Sequence, residues 1–228
     1  VVEGIDGSGS TTQIAEIRQY LQRRRQKPVF TKEPSDGPAG MLIRLALEGR
    51  LLGPNYAFHD PAEQVDNSGT ALDPATLALL FAADRADHVA SQVAPNLARG
   101  RHVICDRYVL STLAYQGLTA SLEWLIEINR HILRPDLTFF LDVPPQQATV
   151  RMRQTRWKRD LYELPEQQRK IRERYLELIE REIPIVGPVV VVDAARPQAE
   201  VAKHIQSVLG QFLATGRVDE AKGELTLL

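Results

Sequence analysis

The sequence predicts an α/β fold, a parallel five-stranded sheet flanked by helices, and three observations carry that prediction. Short apolar runs alternate with longer segments of helical periodicity. A glycine-rich turn, Gly4-Ile5-Asp6-Gly7-Ser8-Gly9, separates the first apolar run from the first helical segment. The 228 residues, 43% hydrophobic and 25% charged, suffice to bury one sizeable core, so one compact domain is expected.

The expected strands are Val1-Val2, Pro28 to Thr31, Arg101 to Cys105, Leu137 to Val143 and Val189 to Val192. After the glycine turn, Ile14, Ile17 and Leu21 recur at helical spacing, while Arg18, Arg23, Arg24 and Arg25 fall elsewhere and read as a solvated face. Segment 53–72 is rich in Gly, Pro, Asn and Asp, has no clear period and is long for an internal connection, so it reads as a surface insertion or flap. Asp73-Pro74 then supplies a capping acceptor followed by a first-turn proline. From there Leu77, Leu80, Phe81 and Val89 continue an apolar face toward a loop near Pro95. From Gln146 to Arg159 the chain becomes dense in Arg151, Arg153, Arg156, Lys158 and Arg159, and a second charged helix follows from Glu166 to Arg181. By composition alone these are a solvated helix pair. The tail, 214–228, carries no recognisable chemistry, and no internal repeats occur.

A net charge of −1 gives no bulk electrostatic reason to expect a nucleic-acid or membrane partner. Small anionic ligands remain compatible with local arginine clusters. The single cysteine, Cys105, lies in the apolar run Val103-Ile104-Cys105, where it reads as a buried strand residue and suits a reducing cytoplasm. No run approaches the roughly 18 apolar residues of a membrane span, and no charged leader with an apolar core opens the chain. The first residue is Val1, directly before the glycine turn, and a few further residues of the first strand are expected ahead of it.

The turn Glu3-Gly4-Ile5-Asp6-Gly7-Ser8-Gly9-Ser10-Thr11-Thr12-Gln13 approaches the phosphate-binding pattern G-x-x-x-x-G-K-[ST], with Ser10 in the lysine slot. Gly4, Gly7 and Gly9 let successive N–H groups face one concavity, the helix beginning near Ser10 adds its positive end, and Thr11 holds the Mg²⁺ position. Without the lysine, a generic strand-to-helix turn is the competing reading. The second element is Val103-Ile104-Cys105-Asp106-Arg107-Tyr108, an apolar strand ending in an acid and a base. Asp106 at such a strand end suits Mg²⁺ or a metal-bound water, and Arg107 suits phosphate oxygens; a surface ion pair is the plain alternative.

Further strings extend the pattern: FTKEP from Phe30 to Pro34, Ile43-Arg44, LLFAADRADHV from Leu79 to Val89, CDRYVLSTLAYQG from Cys105 to Gly117, RPDLTFFLDV from Arg134 to Val143, and VVDAARP from Val191 to Pro197. In this order and spacing, from Val2 to about Leu213, the chain resembles the thymidylate kinase family. The resemblance implies a P-loop nucleoside monophosphate kinase fold: one domain over 1–213, with an insertion about 53–72 and an arginine-rich lid about 151–165. It implies phosphorylation of dTMP to dTDP by Mg-ATP without a phosphoenzyme, in a cytoplasmic homodimer.

The family's roles carry over residue by residue. Gly4, Asp6, Gly7, Ser8, Gly9, Ser10, Thr11 and Thr12 would hold the donor phosphates, with Thr11 and Asp106 on Mg²⁺. Phe81 would stack on thymine, although a phenylalanine on an apolar helix stripe is often simply core. Arg85, one turn later, would meet the base edge, and a charge on the buried side needs a partner. Thr112 and Gln116 would contact the base and Tyr115 the sugar; a capped helix with a packed tyrosine is the alternative. Asp6 would bind the deoxyribose 3′-hydroxyl or help organise Mg²⁺. Arg44 and Arg107 would hold the acceptor phosphate, Glu33 would orient that cluster, and Ala194 to Pro197 would border the adenine.

With Ser10 for lysine and Gly7 rather than arginine after Asp6, the resemblance assigns the missing charge to the lid, where Arg153, Arg156 and Arg159 are the candidates. Asp106, Arg107, Arg153 and Arg156 are thus the expected catalytic residues. Asp160-Leu161-Tyr162-Glu163 departs from the family's D-R-x-E, with leucine in the arginine slot, as Lys32 departs from its usual arginine. Two readings compete with an active dTMP kinase: a catalytically impaired or regulatory nucleotide-binding protein, and a kinase for another nucleoside monophosphate.

Overall fold

The structure, a computed structural model, describes residues 1–50, 72–155 and 165–218. All five expected strands are present: β1 (Val2–Gly4), β2 (Val29–Lys32), β3 (Val103–Asp106), β4 (Thr138–Asp142) and β5 (Val189–Asp193). They form one parallel sheet of order β2-β3-β1-β4-β5. The helices among the described residues are α1 (Ser10–Arg23), α2 (Pro38–Leu47), α3 (Pro74–His88), α4 (Ala94–Leu97), α5 (Val109–Tyr115), α6 (Leu122–Ile128), α7 (Pro145–Thr155), α8 (Pro165–Glu180) and α9 (Gln198–Thr215). The expected insertion about 53–72, apart from its last residue, and residues 156–164 of the expected lid about 151–165 lie outside the described residues.

The alternation of β1 assigns the two helical layers. Val2 shares an apolar cavity with Ile17 and Leu21 of α1 and Leu209 of α9, whereas its neighbour Glu3 reaches Ser111 of α5 and Tyr175 of α8. Consecutive strand residues point to opposite faces, so α1 and α9 cover one face and α5 and α8 the other. Phe140, Leu141, Ile171 and Ile205, all fully buried, belong to the resulting core. A sheet covered on both faces explains why its strands read as continuous apolar runs rather than as alternating ones.

The strand ends shift by one or two residues from expectation, and two boundaries have a clear cause. The third strand starts at Val103 rather than Arg101, because the Arg101 N–H still closes the preceding turn on the Asn96 carbonyl (3.1 Å). The helical run from Pro74 passes Pro95, continuing as a π-helical turn (Val89–Val93) into α4. Pro95 falls in the first turn of α4, where a missing N–H is tolerated. The expected cap is present, with Asp73 Oδ1 accepting from the N–H groups of Ala75 (2.9 Å) and Thr76 (3.1 Å). Asp73→Ala is therefore expected to destabilise the protein by about 1 kcal/mol, with Asp73→Asn restoring most of it in thermal melts. Near the chain's end, α9 continues to Thr215, past the expected boundary at 213, and Phe212 and Leu213 pack against the core.

The strand order places β1 between β3 and β4, which follow it much later in the chain. In open parallel sheets the crevice beyond the carboxyl ends at such a reversal is where ligands bind.

Candidate active site

The glycine turn leaves β1 into that crevice. Gly7 (φ 79°) and Gly9 (φ 98°) adopt the left-handed conformation that glycine enters without strain. Gly7 also admits close packing, since a Cβ there would stand 2.5 Å from the Ala148 carbonyl oxygen of α7. Gly9 is the N-cap of α1 and no side chain caps that helix, so its first N–H groups are left for a ligand. A cleft of about 720 Å³ opens above the turn, lined by residues 5–13 and by Asp106, Arg107, Arg151, Ala194 and Arg196. Ser8, Ser10, Thr11 and Thr12 all stand on its wall. Ala194 and Arg196, from the segment that the resemblance led us to expect beside the adenine, line the same cleft.

Asp106 ends β3 beside the turn. The Ser10 hydroxyl donates to its Oδ2 (3.4 Å), while its Oδ1 is buried with no hydrogen-bond partner. Burial pushes the carboxyl's pKa up, outweighing the opposing pull of the Arg107 guanidinium and the Ser10 hydroxyl. An orphaned carboxylate oxygen within a cleft that also presents the Thr11 hydroxyl fits a hard divalent cation such as Mg²⁺.

Arg107 follows with φ 65°, a left-handed conformation that turns the chain out of the strand. Its Nη2 donates to Asp6 Oδ1 (2.7 Å) and its Nη1 to the Tyr115 hydroxyl (3.1 Å). The Tyr115 hydroxyl in turn donates to Asp6 Oδ2 (3.2 Å). Asp6 and Arg107 line both the cleft and a second pocket, so this triangle stands at the junction of two ligand spaces.

The second pocket has the expected members: Glu33, Phe81, Arg85, Thr112, Tyr115 and Gln116 all line it. Phe81 is half-buried on its wall. Arg85, 1% exposed, has the partners that its burial demands. Nη1 donates to Asn129 Oδ1 (2.6 Å), Nη2 donates to Thr112 Oγ1 (2.9 Å), and Nη2 lies 2.7 Å from Glu33 Oε2. The Glu33 contact is an ion pair that is not aligned as a hydrogen bond, which leaves Oε2 unsatisfied in that sense. Arg85 Nε and Gln116 Nε2 are buried and have no hydrogen-bond partner. Arg44 is not brought to this wall; its Nη1 donates to the carbonyls of Pro34 (3.2 Å) and Ser35 (2.6 Å) at the pocket's flank.

Several supporting residues escape sequence reasoning. Glu3, fully buried inside β1, accepts from the N–H groups of Tyr108 (2.8 Å) and Ser111 (3.2 Å) and from the Ser111 and Tyr175 hydroxyls. It thereby anchors the start of α5 behind Arg107, and burial raises its own pKa. His88 Nδ1 lies 3.1 Å from Glu33 Oε1 and its Nε2 lies 2.6 Å from Thr31 Oγ1, tying Glu33 to β2. Gln168 Nε2 of α8 donates to Asp6 Oδ2 (3.3 Å). An acid inside an apolar strand was the one available signal, for Glu3; the other two depend on partners distant in sequence. Arg153 lies on the last turn of α7, but its side chain, Arg156 and Arg159 fall outside the described residues.

A parallel sheet in this order, a glycine turn feeding α1, an Asp-Arg strand end and a second pocket across the junction define a P-loop nucleoside monophosphate kinase. The family model described as Thymidylate kinase matches residues 2–59 and 60–205. The protein named "Probable thymidylate kinase" from Thermococcus kodakarensis is 38% identical over 214 residues, 92% of this chain and 98% of that protein. One of the same name from Pyrobaculum calidifontis is 40% identical over 218 residues, 95% of this chain and 97% of its own. The "Thymidylate kinase" of Symbiobacterium thermophilum is 37% identical over 216 residues, 92% of each chain. The chain belongs to the thymidylate kinase family.

Proposed function

We propose that this protein transfers the γ-phosphoryl group of Mg-ATP to the phosphate of dTMP, giving dTDP and ADP. The observation that carries the acceptor's identity is the pair of buried, unpartnered donors, Arg85 Nε and Gln116 Nε2, in a pocket walled by Phe81, Leu47 and Pro34. Two orphaned donors call for two acceptors, which the carbonyl oxygens of thymine supply. Cytosine offers an amino group in place of one of them. Phe81 would stack on the ring, as base-aromatic contacts do. Thr112 acts behind Arg85 by accepting its Nη2 bond, and Glu33 holds the same guanidinium by charge.

Tyr115 and Asp6 face the sugar from the junction, and Asp6 fixes the Arg107 guanidinium between the two ligand spaces. Arg107 there would meet the acceptor phosphate, with Arg44 approaching from α2. Gly4 to Thr12 would cradle the donor phosphates through backbone N–H groups and the α1 terminus. Asp106 and Thr11 would hold Mg²⁺, which when bound neutralises charge on the transferring group. The protein's part is positioning and electrostatics rather than covalent help. Ser10 makes this a non-standard phosphate loop, and Arg153 and Arg156 are carried forward as lid contributors on the strength of their sequence positions.

The reading extends to a single kinase domain over 1–213 that works as a cytoplasmic homodimer. Support for self-association comes from Met41 (57% exposed), Leu42 (42%) and Leu79 (50%) on the paired helices α2 and α3. Among the described residues no helix is long and apolar enough to cross a membrane.

Purified protein with ATP and Mg²⁺ is expected to convert dTMP to dTDP, with kcat/KM for dTMP about 100-fold or more above that for dCMP. Absence of dTDP would overturn the function, and equal use of dCMP would overturn the base assignment.

A further inference from the structure

Arg85 can serve a base only while its guanidinium lies in one plane, because a hydrogen bond weakens steeply as its angle leaves linearity. Four groups bound that plane: Asn129 on Nη1, Thr112 and Glu33 on Nη2, and the Tyr108 ring, whose centroid is 5.2 Å from the guanidinium carbon. Nε is left without a partner. Tyr108, Thr112 and Asn129 stand on or at the ends of α5 and α6, which fix them. Glu33 lies just past β2, on a long side chain that something else must hold.

His88 holds it. The imidazole is fully buried, stands three residues after Arg85 on α3, and places Nδ1 3.1 Å from Glu33 Oε1. Residues three apart share a helix face, so Arg85 and His88 take the two oxygens of one carboxylate. An ionised carboxylate only accepts, so Nδ1 carries the proton in that contact.

The other ring nitrogen is engaged as well. Nε2 lies 2.6 Å from the Thr31 hydroxyl, which also reaches Gln92 Oε1 (3.3 Å) on the π-helical turn after α3. Thr31 and Glu33 are two residues apart along an extended chain, so both face α3. The ring cannot turn without breaking a bond. His88 itself is not among the residues that line the base pocket.

We propose that His88 is a positioning residue for base selection: it fixes Glu33, Glu33 fixes the plane of Arg85, and that plane aims Nε at a thymine carbonyl. The proposal rests on the kinase reading above, with thymine as the base, and its test separates the two.

The two amide side chains divide the roles of the imidazole. Asparagine puts its amide nitrogen about where Nδ1 stands and keeps the bond to Glu33, whereas glutamine reaches the place of Nε2 and serves Thr31. His88→Gln is expected to raise KM for dTMP about tenfold and to cut the preference for dTMP over dCMP about tenfold, with kcat and KM for ATP within about threefold. His88→Asn is expected to keep that preference within about threefold of the parent, despite the larger void it leaves. A packing role alone gives the reverse order, since glutamine fills more of the space.

Loss of preference in the asparagine variant alone, equal loss in both, or no loss in the glutamine variant would overturn the proposal. If the parent makes no dTDP, the function fails, and calorimetric affinities for dTMP and dCMP then decide the role of His88 in the same terms; a parent without preference for dTMP overturns both. A melt of each variant checks folding. Should the glutamine variant not fold, nitrogen-15 spectra of the histidine-labelled parent decide: a His88 ring protonated at Nδ1 whose signal moves on adding dTMP supports the proposal, and one protonated at Nε2 alone, or indifferent to dTMP, overturns it.

Discussion

Asp106→Asn is expected to lower dTDP formation by about 100-fold or more and, in the same protein, to raise the melting temperature without ligand. The two effects share a cause. Asp106 Oδ1 is buried without a hydrogen bond and burial holds the carboxyl's pKa above its ordinary value, so its charge is a cost to the resting fold. Relieving it is worth about 1 kcal/mol, or about 2–4 °C for a protein of this size. The same charge is what Mg²⁺ requires.

The pH dependence has a definite sign. A raised folded-state pKa means that the fold binds this proton more tightly than the unfolded chain. Stability therefore falls as pH rises from the ordinary carboxyl value to the raised one, and the asparagine variant lacks that decline. Binding runs the opposite way: Mg-ATP affinity of the parent rises with pH through that window as Asp106 ionises, and that rise is lost in the variant. Glu3, also shifted upward, is common to both proteins and cancels in the comparison. A variant that melts lower than the parent and keeps its turnover would refute the assignment of Asp106.

Glu33→Ala is expected to cost about 3–5 kcal/mol of unfolding free energy in urea titrations. Arg85 and Glu33 are 1% and 3% exposed at the side chain and stand 2.7 Å apart, so removing the acid leaves a guanidinium buried without its counter-charge. Asn129 and Thr112 still accept from it, but neither carries charge. His88 loses its Nδ1 partner in the same step. Against a typical total of about 5–15 kcal/mol, that loss is large. Combining Glu33→Ala with Arg85→Met is expected to recover much of the stability, because the uncompensated charge is gone, while dTMP affinity stays lost. A single variant within about 1 kcal/mol of the parent would show that the pair is not the electrostatic anchor of the pocket.

Much of this architecture was legible in the chain because its signals are local. Continuous apolar runs such as Thr138–Asp142 mark strands covered on both faces, and glycines at positions 7 and 9 mark a turn that other residues enter only with strain. The pocket residues Phe81 and Arg85 were expected through the family resemblance, which sets them one turn apart on a helix, and Asp106 through its place at a strand end. The helix α2 had no such signature: its sequence PAGMLIRLAL is apolar nearly all round, and Met41 and Leu42 remain exposed, so no polar face contrasts with a buried one.

What the sequence determined by itself is the order of the elements, the family to which they belong, and the conspicuous serine at position 10. Tertiary structure alone decided which groups share the site's charges. Glu3 meets Ser111 across 108 residues, Gln168 meets Asp6 across 162, and Arg151 meets Ser8 across 143. Backbone periodicity is imposed by neighbours a few residues away, whereas the partner of a buried charge is chosen by packing between elements far apart in the chain. For that reason Arg151 looked like one more arginine in a basic run, until α7 was found resting on Gly7 with that side chain turned into the phosphate cleft.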